Sequence, residues 1–150
     1  MAGEAPDPDG WIVTVERADT TDGDLGTFAV SAGGVATSST RSRRWMLDGT
    51  PRHHLIDPAA GRQSPTDLAA VTVIASSGWL AEVHATAALL AGSAGVLDYL
   101  VAHDLTGVAL TAGGVALATS DLSELLDRVE LLDPIKDLDP IKDLESVGGR

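Results

Sequence analysis

The chain has 150 residues, no cysteine, and a formal net charge of −12 from 22 acidic and 10 basic side chains. That length fits one domain with a buried core. The missing thiols exclude disulfides and thiolate metal sites, and the acidic balance disfavours nucleic acid, whose phosphates need a basic face.

Aromatic residues make up only 3% of the chain, so the core must be built from Ala, Val, Leu and Ile, with Trp11, Trp45 and Trp79 expected as large anchors. No basic-then-apolar leader follows Met1, and no apolar run reaches the ~18 residues of a membrane span. A cytoplasmic protein without a membrane span is therefore expected.

Residues 1–9, with two prolines and three acids, read as a flexible N-terminus. Trp11 to Arg17 alternates as a strand, with Trp11, Val13 and Val15 on one side. Asp19 to Gly26 is dense in Asp, Thr and Gly and reads as a turn into a second strand ending near Ser31. Those two strands form a hairpin. Gly33-Gly34 breaks the pattern before the small, hydroxyl-rich run Val35 to Thr40. Arg44 to Leu47 is a short strand ending in an Asp48-Gly49 turn. Arg52 to Ile56 is another strand, and Asp57 to Asp67 a loop.

Leu68 to Ala75 is rich in β-branched residues and reads as a buried strand. Ser76-Ser77-Gly78 suits a helix cap. Trp79 to Ala91 is helical, with Leu80, Val83, Ala87, Leu90 and Ala91 expected on the core stripe. After Gly92, Ser93 to Val101 forms a second helix with Leu97, Leu100 and Val101 inward. Gly107 to Leu110 and Val115 to Ala118 flank Ala112-Gly113-Gly114 as a hairpin. Asp121 to Leu132 reads as a helix with Asp121 and Glu124 in a capping box. The hexapeptide Leu-Asp-Pro-Ile-Lys-Asp then occurs twice in tandem from Leu132 to Asp143. The expected organisation is a folded domain over 10–131 and a repetitive flexible tail over 132–150. This order is α+β, with a mixed or antiparallel sheet and packed helices.

Charge is unevenly spread. Residues 41–62 carry five arginines (Arg41, Arg43, Arg44, Arg52 and Arg62) against two acids. Such an island suits one small anionic ligand. Inside it lies His53-His54-Leu55-Ile56-Asp57-Pro58-Ala59-Ala60-Gly61. A neutral imidazole accepts a proton near neutral pH. The same residues also suit a strand end running into an Asp-Pro turn.

Three blocks in series resemble the ApbE family of FAD:protein FMN transferases. They are Gly34-Val35-Ala36-Thr37-Ser38, then His53-His54 through Asp57-Pro58 to Gly61, then Ala81-Glu82 with Thr86. The resemblance covers roughly residues 10 to 127 and corresponds to the C-terminal part of the family's usual domain. It implies the ApbE-like fold and transfer of the FMN phosphoryl group from FAD to a Thr or Ser hydroxyl of an acceptor protein bearing a flavinylation motif. AMP is released, and Mg²⁺ is required.

By the same resemblance, His53, His54 and Asp57 stand in the catalytic loop. Ala36, Thr37, Ser38, Arg52, Pro58 and Gly61 stand around the flavin. Glu82 and Thr86, four residues apart on one helical face, stand at the metal positions. A carboxylate and a hydroxyl are the hard oxygen donors that Mg²⁺ takes. Glu82 replaces the family's Asp, and Ala60 replaces its Thr. Alternation sends one histidine of the pair inward and the other to the site, without saying which. His84 and His103 match no family position and read as surface or half-buried structural residues.

Two other functions fit the residues: a non-catalytic flavin-binding fragment, and an interaction protein that docks through the repeated tail. A strand that lacks its neighbour would leave a free sheet edge. The expected partners are therefore FAD, an acceptor protein, and either a second copy or a complementary N-terminal part.

Overall fold

The computed structural model describes residues 10–16, 24–120 and 122. The elements run β1 (Trp11–Glu16), β2 (Asp24–Val30), β3 (Gly34–Ser39), β4 (Arg44–Leu47), β5 (Thr50–His53), β6 (Ile56–Asp57), β7 (Arg62–Gln63), β8 (Leu68–Ala75), α1 (Gly78–Leu90), α2 (Val96–Ala102), β9 (Thr106–Thr111) and β10 (Ala116–Ala118). The expected N-terminal segment, the 121–132 helix with its capping box and the tandem hexapeptide lie outside the described residues, apart from buried Leu122.

Strand β8 is the spine. Its sequence LAAVTVIA has no residue exposed to solvent, so it must be covered on both faces. It sits inside a four-stranded sheet of order β10-β9-β8-β3, in which every pairing is antiparallel. One face carries α1 and α2, and the other carries the β1–β2 hairpin.

Side chains sort between these faces by strand parity. Val71, Val73 and Ala75 of β8, with Ala109 of β9, join Ala81, Ala85, Ala88, Leu89, Val96 and Leu100 of the helices. Val108 and Leu110 of β9 join Leu25, Phe28, Val30 and Leu122 on the hairpin side. Each fully buried Leu or Val removes apolar surface worth roughly 1.5–3 kcal/mol from water. Phe28, at 1% exposure, is the largest fully buried side chain and anchors the hairpin to the sheet.

The α1 stripe differs in part from the expected one: Leu80 and Leu90 are half-buried against the helix-side core, but the fully buried positions are others. The buried face is Ala81, Ala85, Ala88 and Leu89, whereas Val83 is 56% exposed and Trp79 71%. The helix is apolar nearly all round, so hydrophobic spacing alone cannot orient it. Size decides instead, because the alanine face lets α1 approach the sheet more closely than its Leu80–Val83 face would. The approach is tightest at its N-terminus, where a Cβ on Gly34 would lie 2.2 Å from the Gly78 nitrogen. Ser77 occupies the N-cap position but its side chain makes no capping bond; the Ser77 carbonyl accepts from Ala81 N–H at 3.0 Å.

Helix α2 starts three residues later than expected, and it buries Val96 and Leu100 while Val101 stays 70% exposed. The Gly92–Gly95 connection is held from outside the helices. Asp67 accepts the Ser93 N–H at 2.8 Å and its hydroxyl at 2.5 Å, and these bonds hold the Asp67 carboxyl below its ordinary range. The Thr66 hydroxyl donates to the Leu89 carbonyl at 2.6 Å, tying the strand entry to the end of α1.

Residues 35–40, whose structure sequence left open, form most of β3. The expected strand 52–56 is interrupted: β5 stops at His53, and β6 pairs instead with β7 inside the expected 57–67 loop. The Asp48-Gly49 turn has φ of 49° and 73°, the positive pair that a two-residue hairpin turn requires. Trp45, Met46 and Leu47 of β4 are all exposed, so Trp45 and Trp79 are not the core anchors that their size suggested. No helix among the described residues is long and apolar enough to cross a membrane.

Gly34→Ala places a methyl group on the Gly78 backbone, where nothing flexible can yield. It should cost about 3 kcal/mol, the upper end for overpacking. Gly49→Ala faces open space and should cost about 1 kcal/mol, from its positive φ alone. Urea unfolding of the two variants checks this ordering.

Candidate functional site

Strand β3 enters between α1 and the hairpin, so its alternation decides which hydroxyl meets which face. Ala36 packs with the helix-side cluster and Val35 with the hairpin-side cluster. Ser38 therefore points to α1, where its Oγ lies 2.7 Å from Thr86 Oγ1, in a half-buried bond that either hydroxyl can donate. Thr37 points the other way and bonds Thr72 Oγ1 at 2.8 Å. Thr37 and Thr72 line a cavity of about 490 Å³ between hairpin and sheet, together with Glu16, Ser39 and Arg41. Thr37 and Ser38, adjacent in sequence, thus serve two separate faces.

Glu82 lies one turn before Thr86 on α1, with its carboxylate exposed. A carboxylate and a hydroxyl one turn apart, with a lone pair of Thr86 Oγ1 still free beside Ser38, make a hard-oxygen pair suited to a small divalent cation.

The histidine block lies on β5, β6 and β7. Leu55 plugs it into the helix-side core, and Ser64 N–H returns to the Leu55 carbonyl at 3.0 Å. This geometry separates the two imidazoles. His53 is buried: its Nδ1 accepts the Leu55 N–H at 3.3 Å, and its ring also bonds the Ser64 backbone. Nδ1 acts as acceptor, so the other nitrogen carries the proton and is the one able to donate to the Ser64 backbone. Both nitrogens of His53 are therefore engaged. Burial lowers its pKa below the ordinary 6.5; the Ser64 bond opposes this, while His54 and Arg44 reinforce it.

His54 differs. Its Nδ1 is buried without a partner, and so are Arg52 Nε and Gln63 Oε1 on the same group of short strands. A buried polar atom left unbonded costs about 1–3 kcal/mol, so each of the three is a position where a polar ligand atom would be stabilising. Gln63 was not expected from sequence. Its signal is only its place in β7 opposite Ile56, and that pairing is visible only in three dimensions.

Asp57 caps its own turn. Its Oδ1 accepts the Ala59 N–H at 2.9 Å and the Ala60 N–H at 3.4 Å, and the Gly61 N–H donates to its carbonyl at 2.8 Å. Pro58 and Gly61 are exposed on that turn, and Gly61 supplies its positive φ of 61°. The structure thus joins Ser38 to Thr86, and it leaves Arg52 Nε, His54 Nδ1 and Gln63 Oε1 buried without partners. His53 bonds across His54 to Leu55, and Asp57 holds the turn that follows.

The sequence matches the ApbE family over residues 1–110. Similar folds occur in the ApbE protein of Thermotoga maritima (TM-score 0.68, 24% identity, covering 77% of this chain and 38% of that one). The flavinyl transferase ApbE of Pseudomonas stutzeri in its apo form gives a TM-score of 0.64 at 25% identity, over 82% of this chain and 39% of that one. The flavin transferase ApbE of Vibrio cholerae gives 0.63 at 21% identity, over 78% and 38%. The T. maritima and V. cholerae likenesses concern the fold alone. The chain spans about two fifths of the length of these solved structures. No curated protein matches the sequence.

Neutral, buried His53 contributes stability that is complete above pH 6.5. That contribution declines as the pH falls below 6.5, because the unfolded chain takes up the proton first. Urea midpoints at pH 7.5 and 5.0 should differ for the native chain, and His53→Gln should shrink the difference. A cycle of Ser38→Ala and Thr86→Val should show about 0.5–1.5 kcal/mol of coupling.

Proposed function

Because the chain belongs to the ApbE family, we propose that it acts in protein flavinylation, moving the FMN part of FAD to a Thr or Ser hydroxyl of an acceptor protein. One observation carries this. The 2.7 Å bond between Ser38 and Thr86 brings two of the three family-like blocks into contact at the sheet–helix seam. Leu55 ties the third block to the same core.

In the proposed reaction the acceptor oxygen bonds to the FMN phosphorus. The phosphorus–oxygen bond to AMP breaks, and AMP leaves with the electron pair. The acceptor proton needs a base. His53 has both ring nitrogens engaged, so this role falls to His54, whose Nδ1 is free. Arg52, whose Nε is buried without a partner, offers a charged donor for an anionic substrate oxygen. Asp57 and Gly61 hold the turn that follows His54.

Glu82 and Thr86 would hold Mg²⁺, and their donor chemistry fits that ion. When bound, Mg²⁺ supplies charge neutralisation on the pyrophosphate. Ser38 fixes the Thr86 rotamer through their shared bond. The Glu82 side chain is one methylene longer than the aspartate of the family pattern, so its carboxylate reaches further from the helix.

Since the chain spans about two fifths of its solved relatives, binding and transfer are separate questions. FAD titration should give saturable quenching of flavin fluorescence, and added Mg²⁺ with an acceptor bearing the flavinylation motif should give a fluorescent adduct. His54→Ala should lower adduct formation about 10²-fold or more, with FAD binding changed little. Glu82→Ala should raise the Mg²⁺ concentration needed. Saturable binding without any adduct leaves a non-catalytic flavin-binding protein, and absence of both overturns the proposal.

A further inference from the structure

His84, Tyr99 and His103 form a cluster that none of the family-like blocks includes. It sits where α1 meets α2. His84 Nδ1 lies 2.8 Å from the Tyr99 hydroxyl, and His103 Nδ1 lies 2.8 Å from the Tyr99 carbonyl. The Tyr99 and His103 rings stack at 4.3 Å, and the two imidazole centroids are 5.1 Å apart, tilted by 56°. His84 is half-buried and His103 exposed.

The bond to the Tyr99 carbonyl sets the tautomer of His103, whereas the Tyr99 phenol can either donate to His84 Nδ1 or accept from it. A carbonyl only accepts, so His103 carries its proton on Nδ1 and keeps the Nε2 lone pair free. The Tyr99 phenol can accept from His84 Nδ1–H, which leaves the His84 Nε2 lone pair free as well. A ligating imidazole commonly has this arrangement, in which the far nitrogen donates to a fixed acceptor that orients the ring.

We propose that His84 and His103 bind a borderline transition-metal dication, such as Cu²⁺, Ni²⁺ or Zn²⁺, through their Nε2 atoms, with water completing the shell. The spacing suits this. Two imidazoles on a tetrahedral ion, each with a metal–nitrogen distance of about 2.0–2.1 Å, have centroids about 5 Å apart, and the observed value is 5.1 Å. Among the described residues no group of three or more His, Asp or Glu could hold an ion, so the protein supplies two ligands and the other positions stay open. Nitrogen donors select against Mg²⁺ and favour Cu²⁺ over Ni²⁺ and Zn²⁺. Glu82 lies two residues from His84, about 200° around the helix axis, so this site is separate from the one proposed for Mg²⁺.

The full chain, free of other metals, is titrated with Zn²⁺ while the histidine ring nitrogens are followed by NMR, and with one equivalent of Cu²⁺ for EPR. The Nε2 signals of His84 and His103 should move together, those of His53 and His54 should stay, and the Cu²⁺ spectrum should show two nitrogen ligands. His103→Ala, at an exposed position, should weaken Zn²⁺ binding at least tenfold while the chain still unfolds cooperatively, with only the loss of stability expected from one stacking contact and one hydrogen bond. Tyr99→Phe keeps the stacked ring and removes only the phenol acceptor, and should weaken it about tenfold. Unaltered Zn²⁺ affinity in His103→Ala, shifts confined to His53 and His54, or equal shifts with Mg²⁺ would each overturn the assignment. None of these readouts depends on flavin transfer.

Discussion

The close seating of α1 on the sheet is the constraint on which the other parts depend. Gly34 leaves no room for a side chain against Gly78, and Ala81, Ala85 and Ala88 are completely buried. Small residues at each point of contact bring the helix axis in, and dispersion contacts accumulate over the whole seam. A larger residue at Gly34 would lift the helix start, and the bond between Ser38 and Thr86 would lengthen with it.

From that seam the parity of β3 follows. A strand covered on both faces must divide its side chains, and β3 sends Ala36 and Ser38 to the helix and Val35 and Thr37 to the hairpin. A one-residue slip would exchange these sets. The pairing of β3 with β8, from Gly34 opposite Ala75 to Ser39 opposite Ala70, fixes the division. The short strands β5, β6 and β7 contribute little core of their own. They are held by Leu55 and by the two bonds that engage His53, which leaves His54 Nδ1 without a partner.

Much of this was legible in sequence where the physics is local. The β-branched run of β8, the Asp48-Gly49 turn, the β1–β2 pairing and the break at Gly92 each follow from residues within a few positions. The α1 face was not, because a helix with Leu80, Val83, Ala87 and Leu90 on one side and Ala81, Ala85, Ala88 and Leu89 on the other is apolar both ways. Steric fit to the sheet chose the smaller set. The β6–β7 pair was missed because two-residue strands carry no periodicity. Trp45 and Trp79 were expected inside for their size, but they lie on β4 and on the face of α1 away from the sheet.

The three chemical blocks were visible as ordered residue types, and the resemblance to the ApbE family rested on them; the α+β class, with a mixed or antiparallel sheet, followed from the order of the elements. The double histidine shows the limit. Alternation required that one imidazole go inward, and nothing in the residue order said which. The Leu55 N–H and the Ser64 backbone, brought to His53 by the fold, engage both its nitrogens and leave His54 Nδ1 without a partner. Residue identity determines which chemistry a chain can perform. Which group is free to perform it depends on hydrogen bonds such as those of His53 to Leu55 and Ser64, and those exist only once the short strands have paired and Leu55 has docked in the core.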